Sequence, residues 1–282
     1  MKKQRTAGHI IFQVVAYTVC ILLAVMSLFP FIIMIVNATR STPEIQGATL
    51  SLIPSHYFMD NIKILEGKSF NAWVGFKNSF IISTCSTILT LYFSALTAHA
   101  LIAYNWKLRR AFFTFIMAVM MIPAQITGIG FFQFMYSIGM TNNFLALILP
   151  AAAAPAGVFF MRQFMIASFP LDLLEAARID GSHEFYTFNR IVLPIMKPAL
   201  ATQGIFSFVT SWNALFMPMV LLTSSDNYTM PLMVNLLRGD IYKTEYGAVY
   251  LALTLTVLPL FVVYFSLSKY IIAGVALGSV KG

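Results

Sequence analysis

Apolar positions in this chain neither alternate nor form a narrow helical stripe; they run on almost unbroken, and polar residues collect between the runs. Six runs approach the roughly 20 residues that an α-helix needs to cross a hydrocarbon layer. They extend from about Ile10 to Val36, Ser79 to Tyr104, Ala111 to Ser137, Phe144 to Met161, Ala199 to Leu222 and Gly247 to Ser268. The pattern predicts an all-α membrane protein with six transmembrane helices. The first run follows Lys2, Lys3 and Arg5, as a secretory signal would, but it far exceeds the usual apolar core of about 7 to 15 residues, so it is read as a retained span.

Composition sharpens this picture. Of the 282 residues, 59% are hydrophobic and 10% are charged, against roughly a quarter charged in soluble domains, which excludes a soluble globular enzyme. The formal charge of +8 sits at loop edges rather than in a basic stripe interleaved with aromatic residues, so no nucleic-acid partner is expected. An even number of spans puts both termini on one side. With the termini inside, Lys2, Lys3, Arg5, Lys107, Arg109, Arg110, Arg162, Arg178, Arg190, Lys197, Lys269 and Lys281 are cytoplasmic, which is twelve of the 18 basic residues. Because basic loops stay cytoplasmic, the count favours both ends in, within a plasma (inner) membrane.

The chemistry missing from the spans narrows the function further. Embedded acids and bases are costly and mark ion pathways, yet His99 is the one such side chain in the six runs, and it reads as a hydrogen-bonded packing residue. A proton-coupled carrier would place carboxylates near the midplane. His9, His56, His99 and His183 fall in four separate segments without metal-ligand spacing, so no metal site is expected. Cys20 and Cys85 lie inside apolar runs and suggest no disulfide framework. No glycine-rich phosphate loop is present, so active transport would need a nucleotide-binding chain elsewhere. Pro30, Pro123, Pro150, Pro155, Pro218 and Pro259 lie in five of the runs, where each removes a backbone donor and tends to kink its helix.

The segment from about Arg162 to Pro198 is the longest cytoplasmic loop and the one with internal architecture. From Ser168 it predicts two short helices meeting at Gly181. Ser168 is the expected first cap, Arg178 suits a last turn, Gly181 a left-handed terminator, Ser182 the second cap and Pro194 the stop. Spacing puts Leu173, Ala176, Ala177 and Asp180 on one face of the first helix, and Phe185, Phe188, Asn189 and Val192 on one face of the second. Such an apolar elbow must be covered either by the chain's own helix ends or by a partner's cleft; both remain open from physics alone.

Glu175-Ala176-Ala177, Asp180-Gly181, Ile191, Leu193-Pro194 and Pro198 resemble the EAA loop of type I ABC importer permeases. The resemblance covers roughly Trp73 to Gly282 and includes Asn78-Ser79, Pro123, Trp212-Asn213 and the ending from Ala273-Gly274 through Val280-Lys281-Gly282; it is strongest to the smaller, maltose-type permease subunit of carbohydrate-uptake importers. Asn105-Trp106 departs from relatives that carry arginine there. The resemblance implies the type I importer fold. Residues 1–36 would hold the N-terminus and first span, 37–72 an extracytoplasmic loop, 73–272 the core with its coupling loop at 168–198, and 273–282 a cytoplasmic tail. It implies a noncatalytic permease subunit working with a second homologous permease, two ATPase subunits that bind ATP and magnesium, and an extracytoplasmic solute-binding protein. This chain would hold no cofactor of its own. Glu175, Ala176, Ala177, Asp180 and Gly181 would form the ATPase-docking motif. For a carbohydrate cargo, an oligosaccharide or polysaccharide fragment, Gln125, Gln133, Tyr136 and Asn213 are candidate pathway contacts, whereas Trp212 reads as a packing or interface anchor. Alternatives are an importer for another polar solute, such as glycerol phosphate, and a lone ion-coupled carrier.

Overall fold

The computed structural model describes residues 7–47, 50–68, 70–238 and 244–279. The charges expected at Lys2, Lys3, Arg5, Asp240, Lys243 and Lys281, and the Val280–Gly282 end of the tail, lie outside them. Among the described residues there is no strand. In chain order the helices are α1 (Ala7–Asn37), α2 (Thr42–Gly47), α3 (Phe58–Gly67), α4 (Ala72–Ala103), α5 (Arg109–Val119), α6 (Ala124–Ser137), α7 (Leu145–Ile148), α8 (Pro155–Ser168), α9 (Asp172–Ile179), α10 (Glu184–Thr187), α11 (Leu193–Ile195), α12 (Lys197–Trp212), α13 (Phe216–Leu221), α14 (Met230–Arg238) and α15 (Tyr246–Ser279). Tight 3-10 turns occupy Leu149–Ala152 and Ser225–Asn227, and a π turn occupies Phe188–Val192.

Among the described residues, four helical stretches are long and apolar enough to cross a membrane unaided: Ile11–Asn37, Ala72–Ala103, Leu145–Ser168 and Tyr246–Ser266. The other two apolar runs are broken. Pro123, with extended backbone at ψ 127°, separates α5 from α6, and at 1.5 Å per residue these pieces reach only about 17 and 21 Å. In the fifth run α12 stops at Trp212, and α13 begins only at Phe216. The prolines thus act unequally. Pro30 and Pro259 ride inside unbroken helices, while Pro155 occupies a first turn, where no donor is needed.

Contacts divide the chain into two compact units. One comprises residues 1–71 and 234–257. Its α1 is apolar all round and mostly exposed in the single chain. Beyond α1 the backbone is held by side-chain amides and hydroxyls: buried Asn61 donates through Nδ2 to the carbonyls of Ala38 and Arg40, each at 3.0 Å. Thr42 Oγ1 donates to Glu245 at 2.7 Å and accepts the Tyr246 N–H at 3.0 Å. Gly247 closes this junction, because a Cβ there would lie 2.2 Å from the Arg40 carbonyl oxygen and 2.7 Å from the Asn61 amide. Backbone cannot yield as a flexible side chain would. Gly247→Ala is therefore expected to cost about 1–3 kcal/mol, the range for overpacked sites, and to lower the unfolding midpoint of detergent-purified protein by several degrees. An unchanged midpoint would contradict this packing.

The second unit comprises residues 72–233 and 258–282 and is organised around α4, against which α8 and α12 pack. The contacting face of α4 is small and hydroxylated, with Ser79, Ser83, Ser94, Ala95 and Ala98 all buried. Small faces let helix backbones approach closely. The approach culminates at Gly157 of α8, where a Cβ would stand 2.4 Å from Ser94 Oγ and 3.2 Å from Ser94 Cβ. Toward its Ala103 end, α4 contributes Ala95 and Ala98 to a cluster with Met161, Met165, Phe169, Leu174, Phe188, Val192, Met196 and Ala199. At its other end, Asn78 donates to the carbonyls of Asp226 (2.8 Å) and Tyr228 (3.0 Å), and Ser79 Oγ accepts the Met230 N–H at 2.9 Å. This clasp gives the Asn78-Ser79 pair a physical role. His99 is buried as expected, but it is not hydrogen-bonded as expected: neither ring nitrogen has a partner among the described residues. It packs through ring faces instead, 5.7 Å from Tyr104 and 5.5 Å from Phe188 between centroids.

Candidate functional site: the elbow at residues 168–198

The elbow forms where the sequence places it, with its caps displaced. Ser168 does not cap the first arm. It is the last residue of α8, and α9 starts at Asp172, after Pro170, with Asp172 and Glu175 in its first turn. There they complement the positive end of the helix dipole. The arm ends at Gly181, whose φ of 75° is strained for any residue with a Cβ. The Ser182 N–H bonds the Ala177 carbonyl at 2.9 Å and the Gly181 N–H that of Arg178 at 3.1 Å. These two bonds make the paired Schellman closure. Ser182 does not cap the second arm either, because its hydroxyl pairs with Thr187 Oγ1 at 2.7 Å. Nor does Pro194 stop that arm. The chain passes through the π turn and α11, then bends by 79° at Met196 into α12.

The elbow has an inward and an outward side. Leu174 is 3% exposed and Ala177 6%, and both face inward with Thr187, Phe188 and Val192. Of the motif residues, Glu175, Ala176, Asp180 and Gly181 are exposed, so Ala177 parts from the neighbours that helical spacing groups with it. In the second arm Phe185 is 72% exposed while Phe188 and Val192 are buried. Phe188 and Val192 join the cluster of Ala95, Ala98, Met161 and Met165, whereas Phe185, one α-helical turn earlier, lies outside it. Outward, Leu171, Leu173, Ile179, Phe185 and Tyr186 are uncovered, with Ile179 at 85% exposure. Together these side chains leave an apolar group uncovered on the elbow of the single chain.

Three groups tie the arms together. Glu184 accepts hydrogen bonds from the Tyr104 hydroxyl and from Arg178 Nε, the latter at 3.0 Å. The Arg178 guanidinium lies 5.1 Å from the Tyr104 ring centroid and donates to the Ala103 carbonyl at 3.4 Å. The Tyr104 hydrogen bond, and then that of Arg178, hold the Glu184 carboxyl below the ordinary carboxylate range, and Glu184 in turn raises Arg178. A depressed carboxyl favours the paired state above its ordinary pKa and loses it only as pH falls through the lower folded value. Isotope-edited infrared titration of Glu184 is expected to give a midpoint below that of a free glutamate, about 4.3; a midpoint above it would mean that the pairing is absent.

The candidate pathway residues fall elsewhere. Gln125, Gln133 and Tyr136 are all on α6 and all exposed, and α-helical spacing puts Gln125 and Tyr136 nearly in line. Asn213 stands apart from them, spending its amide on the Val209 carbonyl at 3.0 Å. Trp212 is buried and stacks on Phe208 with ring centroids 5.7 Å apart. None of the four lines the cleft of about 190 Å³ that opens beside α4, which is walled by Ser79, Ile82, Ser83, Ser211, Met217 and Thr229 among others. Sequence reasoning missed that cleft. Its hydroxyl donors look in sequence like ordinary small packing residues, and only the fold brings α4, α12 and the 223–229 loop together.

With this geometry in view, comparison with known proteins is informative. Residues 90–276 match the family model described as "Binding-protein-dependent transport system inner membrane component". The chain is 35% identical to the arabinooligosaccharides transport system permease protein AraQ of Halalkalibacterium halodurans, over 92% of this chain and 93% of that one. It is 34% identical to the lactose transport system permease protein LacG of Rhizobium radiobacter, over 95% and 96%. It is 30% identical to the trehalose/maltose transport system permease protein MalG of Thermococcus litoralis, over 93% and 94%. Among solved structures it superposes with a TM-score of 0.80 on a chain of a bacterial ABC transporter involved in the import of the acidic polysaccharide alginate. That match has 23% identity and covers 96% of this chain and 100% of the other, a likeness of fold.

Proposed function

The chain belongs to the family of binding-protein-dependent transport system inner membrane components, and from that premise we propose that it is the permease subunit through which an ABC importer passes a sugar, an oligosaccharide or polysaccharide fragment, into the cytoplasm. The relatives with named cargo above carry arabino-oligosaccharides, lactose, and trehalose or maltose in their names, which supports a carbohydrate. On this reading α5 with α6, and α12 with α13, are interrupted spans, giving six crossings with both ends inside. The chain itself is noncatalytic. A second homologous permease completes the pathway, two ATPase subunits bind ATP and magnesium and hydrolyse the nucleotide, and an extracytoplasmic binding protein delivers cargo.

The observation that carries the reading is the two-sided elbow. Its root is set in the α4–α8 core, while its tip presents Ile179 and Phe185 beside exposed Glu175, Ala176 and Asp180. A rigid root with an uncovered apolar tip is what transmission of force from a soluble partner requires. Small Ala176 permits close approach, and Glu175 offers a charge-assisted acceptor. Gln125, Gln133, Tyr136 and Asn213 supply amides and a hydroxyl suited to a polyhydroxylated cargo. The test is copurification of the chain with ATPase and binding-protein candidates from the same organism, followed by calorimetry of the copurifying binding protein against arabinotriose, lactose, maltose and trehalose. Binding of at least one sugar is expected. An ATPase that never copurifies, or uptake by the chain alone under an ion gradient, would defeat the reading.

A further inference from the structure

An elbow transmits a push only if its two arms cannot flex against each other or against the span behind them. Local helix stability does not provide that stiffness. α9 has eight residues and α10 four, far fewer than an isolated helix needs to persist. At the reversal itself only local bonds act, since nothing from elsewhere in the chain lies within 4 Å of where a Gly181 Cβ would be.

We propose that Tyr104, Arg178 and Glu184 form a positioning latch that makes the elbow and the Ala103 end of α4 move as one body during transport. The inference rests on the coupling role proposed above and adds a residue-level mechanism to it. Each member comes from a different segment: Tyr104 follows α4, Arg178 lies in the first arm and Glu184 in the second. Glu184 is the shared acceptor, with the Tyr104 hydroxyl on Oε2 and Arg178 Nε on Oε1 at 3.0 Å. Arg178 closes the triangle by donating to the Ala103 carbonyl at 3.4 Å and lying over the Tyr104 ring. Tyr104 is anchored in turn by His99 of α4, whose ring also touches Phe188 of the second arm. Stability does not account for the arrangement. The Arg178 and Glu184 side chains are 38% and 48% exposed, and exposed ion pairs contribute little. What three converging groups add is a fixed geometry, since a planar guanidinium and a two-oxygen acceptor hold orientation as well as distance. From the latch, α4 runs unbroken to the Asn78 clasp on the 226–228 loop, so a displacement at the elbow reaches the opposite end of the helix without crossing a break.

The complete importer in lipid vesicles tests the latch, with arabinotriose, lactose and maltose as probe sugars and two readouts: ATPase copurification, and ATP hydrolysed per sugar accumulated. Glu184→Gln and the milder Tyr104→Phe are expected to leave copurification intact, because neither residue belongs to the outward docking face. Both are expected to raise ATP consumed per sugar at least fivefold. The exchanged pair Arg178→Glu/Glu184→Arg is expected to recover part of that loss, which a merely structural defect would not. Unchanged ATP per sugar in Tyr104→Phe and Glu184→Gln would overturn the latch while leaving the importer reading in place. Failure of the unmutated complex to assemble would instead defeat that reading.

Discussion

Phe185→Asp is expected to abolish association with the ATPase subunits while leaving the chain folded. Phe185 is 72% exposed and is not among the buried core residues, so its loss removes little from the chain's own core. In a docked elbow, however, the new carboxylate would be buried in an apolar cleft without a partner. Unpaired buried charge costs several kcal/mol, and loss of an aromatic anchor at an interface centre adds about 2 kcal/mol or more. Together they predict at least a hundredfold loss of affinity, read as absence of the ATPase band on copurification and of cargo-stimulated hydrolysis. Ala177→Asp makes an instructive contrast. Because Ala177 faces inward with Leu174, that substitution is expected to unseat the elbow itself, lowering the thermal stability of the isolated chain as well as docking. If Phe185→Asp retains the ATPase, the outward face is not the docking face.

Gly157→Leu is expected to have the largest effect on folding. The α8 backbone approaches α4 so closely that even a methyl at residue 157 would stand 2.4 Å from Ser94 Oγ. A leucine must push the helices apart along the contact that organises the unit. Overpacking of this kind exceeds the usual 1–3 kcal/mol of a tolerated insertion, so little monodisperse protein should survive extraction. The converse is less obvious. Ser94 Oγ is buried and has no hydrogen-bond partner among the described residues, so Ser94→Ala removes an unsatisfied group and should be neutral or stabilising. Ser94→Ala should also relieve Gly157→Ala, and the coupling between the two is measurable by a double-mutant cycle of unfolding midpoints. Strict additivity would mean that the helices do not meet there.

Much of this was legible in the chain because length and hydrophobicity are one-dimensional properties. Four of the six apolar runs appear as helices long enough to cross a membrane. Gly181 was readable too, since a left-handed helix terminator strongly favours glycine. The caps were not: Ser168 and Ser182 have suitable side chains, but tertiary packing continued α8 through one and gave the other a hydroxyl partner in Thr187. The inward turn of Ala177 and the split between Phe185 and Phe188 also escaped prediction, because both depend on what the elbow packs against. The latch was invisible for a simpler reason. Tyr104 and Glu184 are 80 residues apart, and only the fold brings the phenol, the guanidinium and the carboxylate together.

The central claim is that the tip of the elbow seats in a nucleotide-hydrolysing partner. A photo-crosslinking amino acid at Ile179, which is 85% exposed, tests it in the assembled complex, with the same probe at exposed Tyr136 as control. The account predicts an ATPase adduct from residue 179 and none from residue 136. Adducts to lipid or to the second permease alone from residue 179, in a complex that demonstrably contains the ATPase, would contradict it.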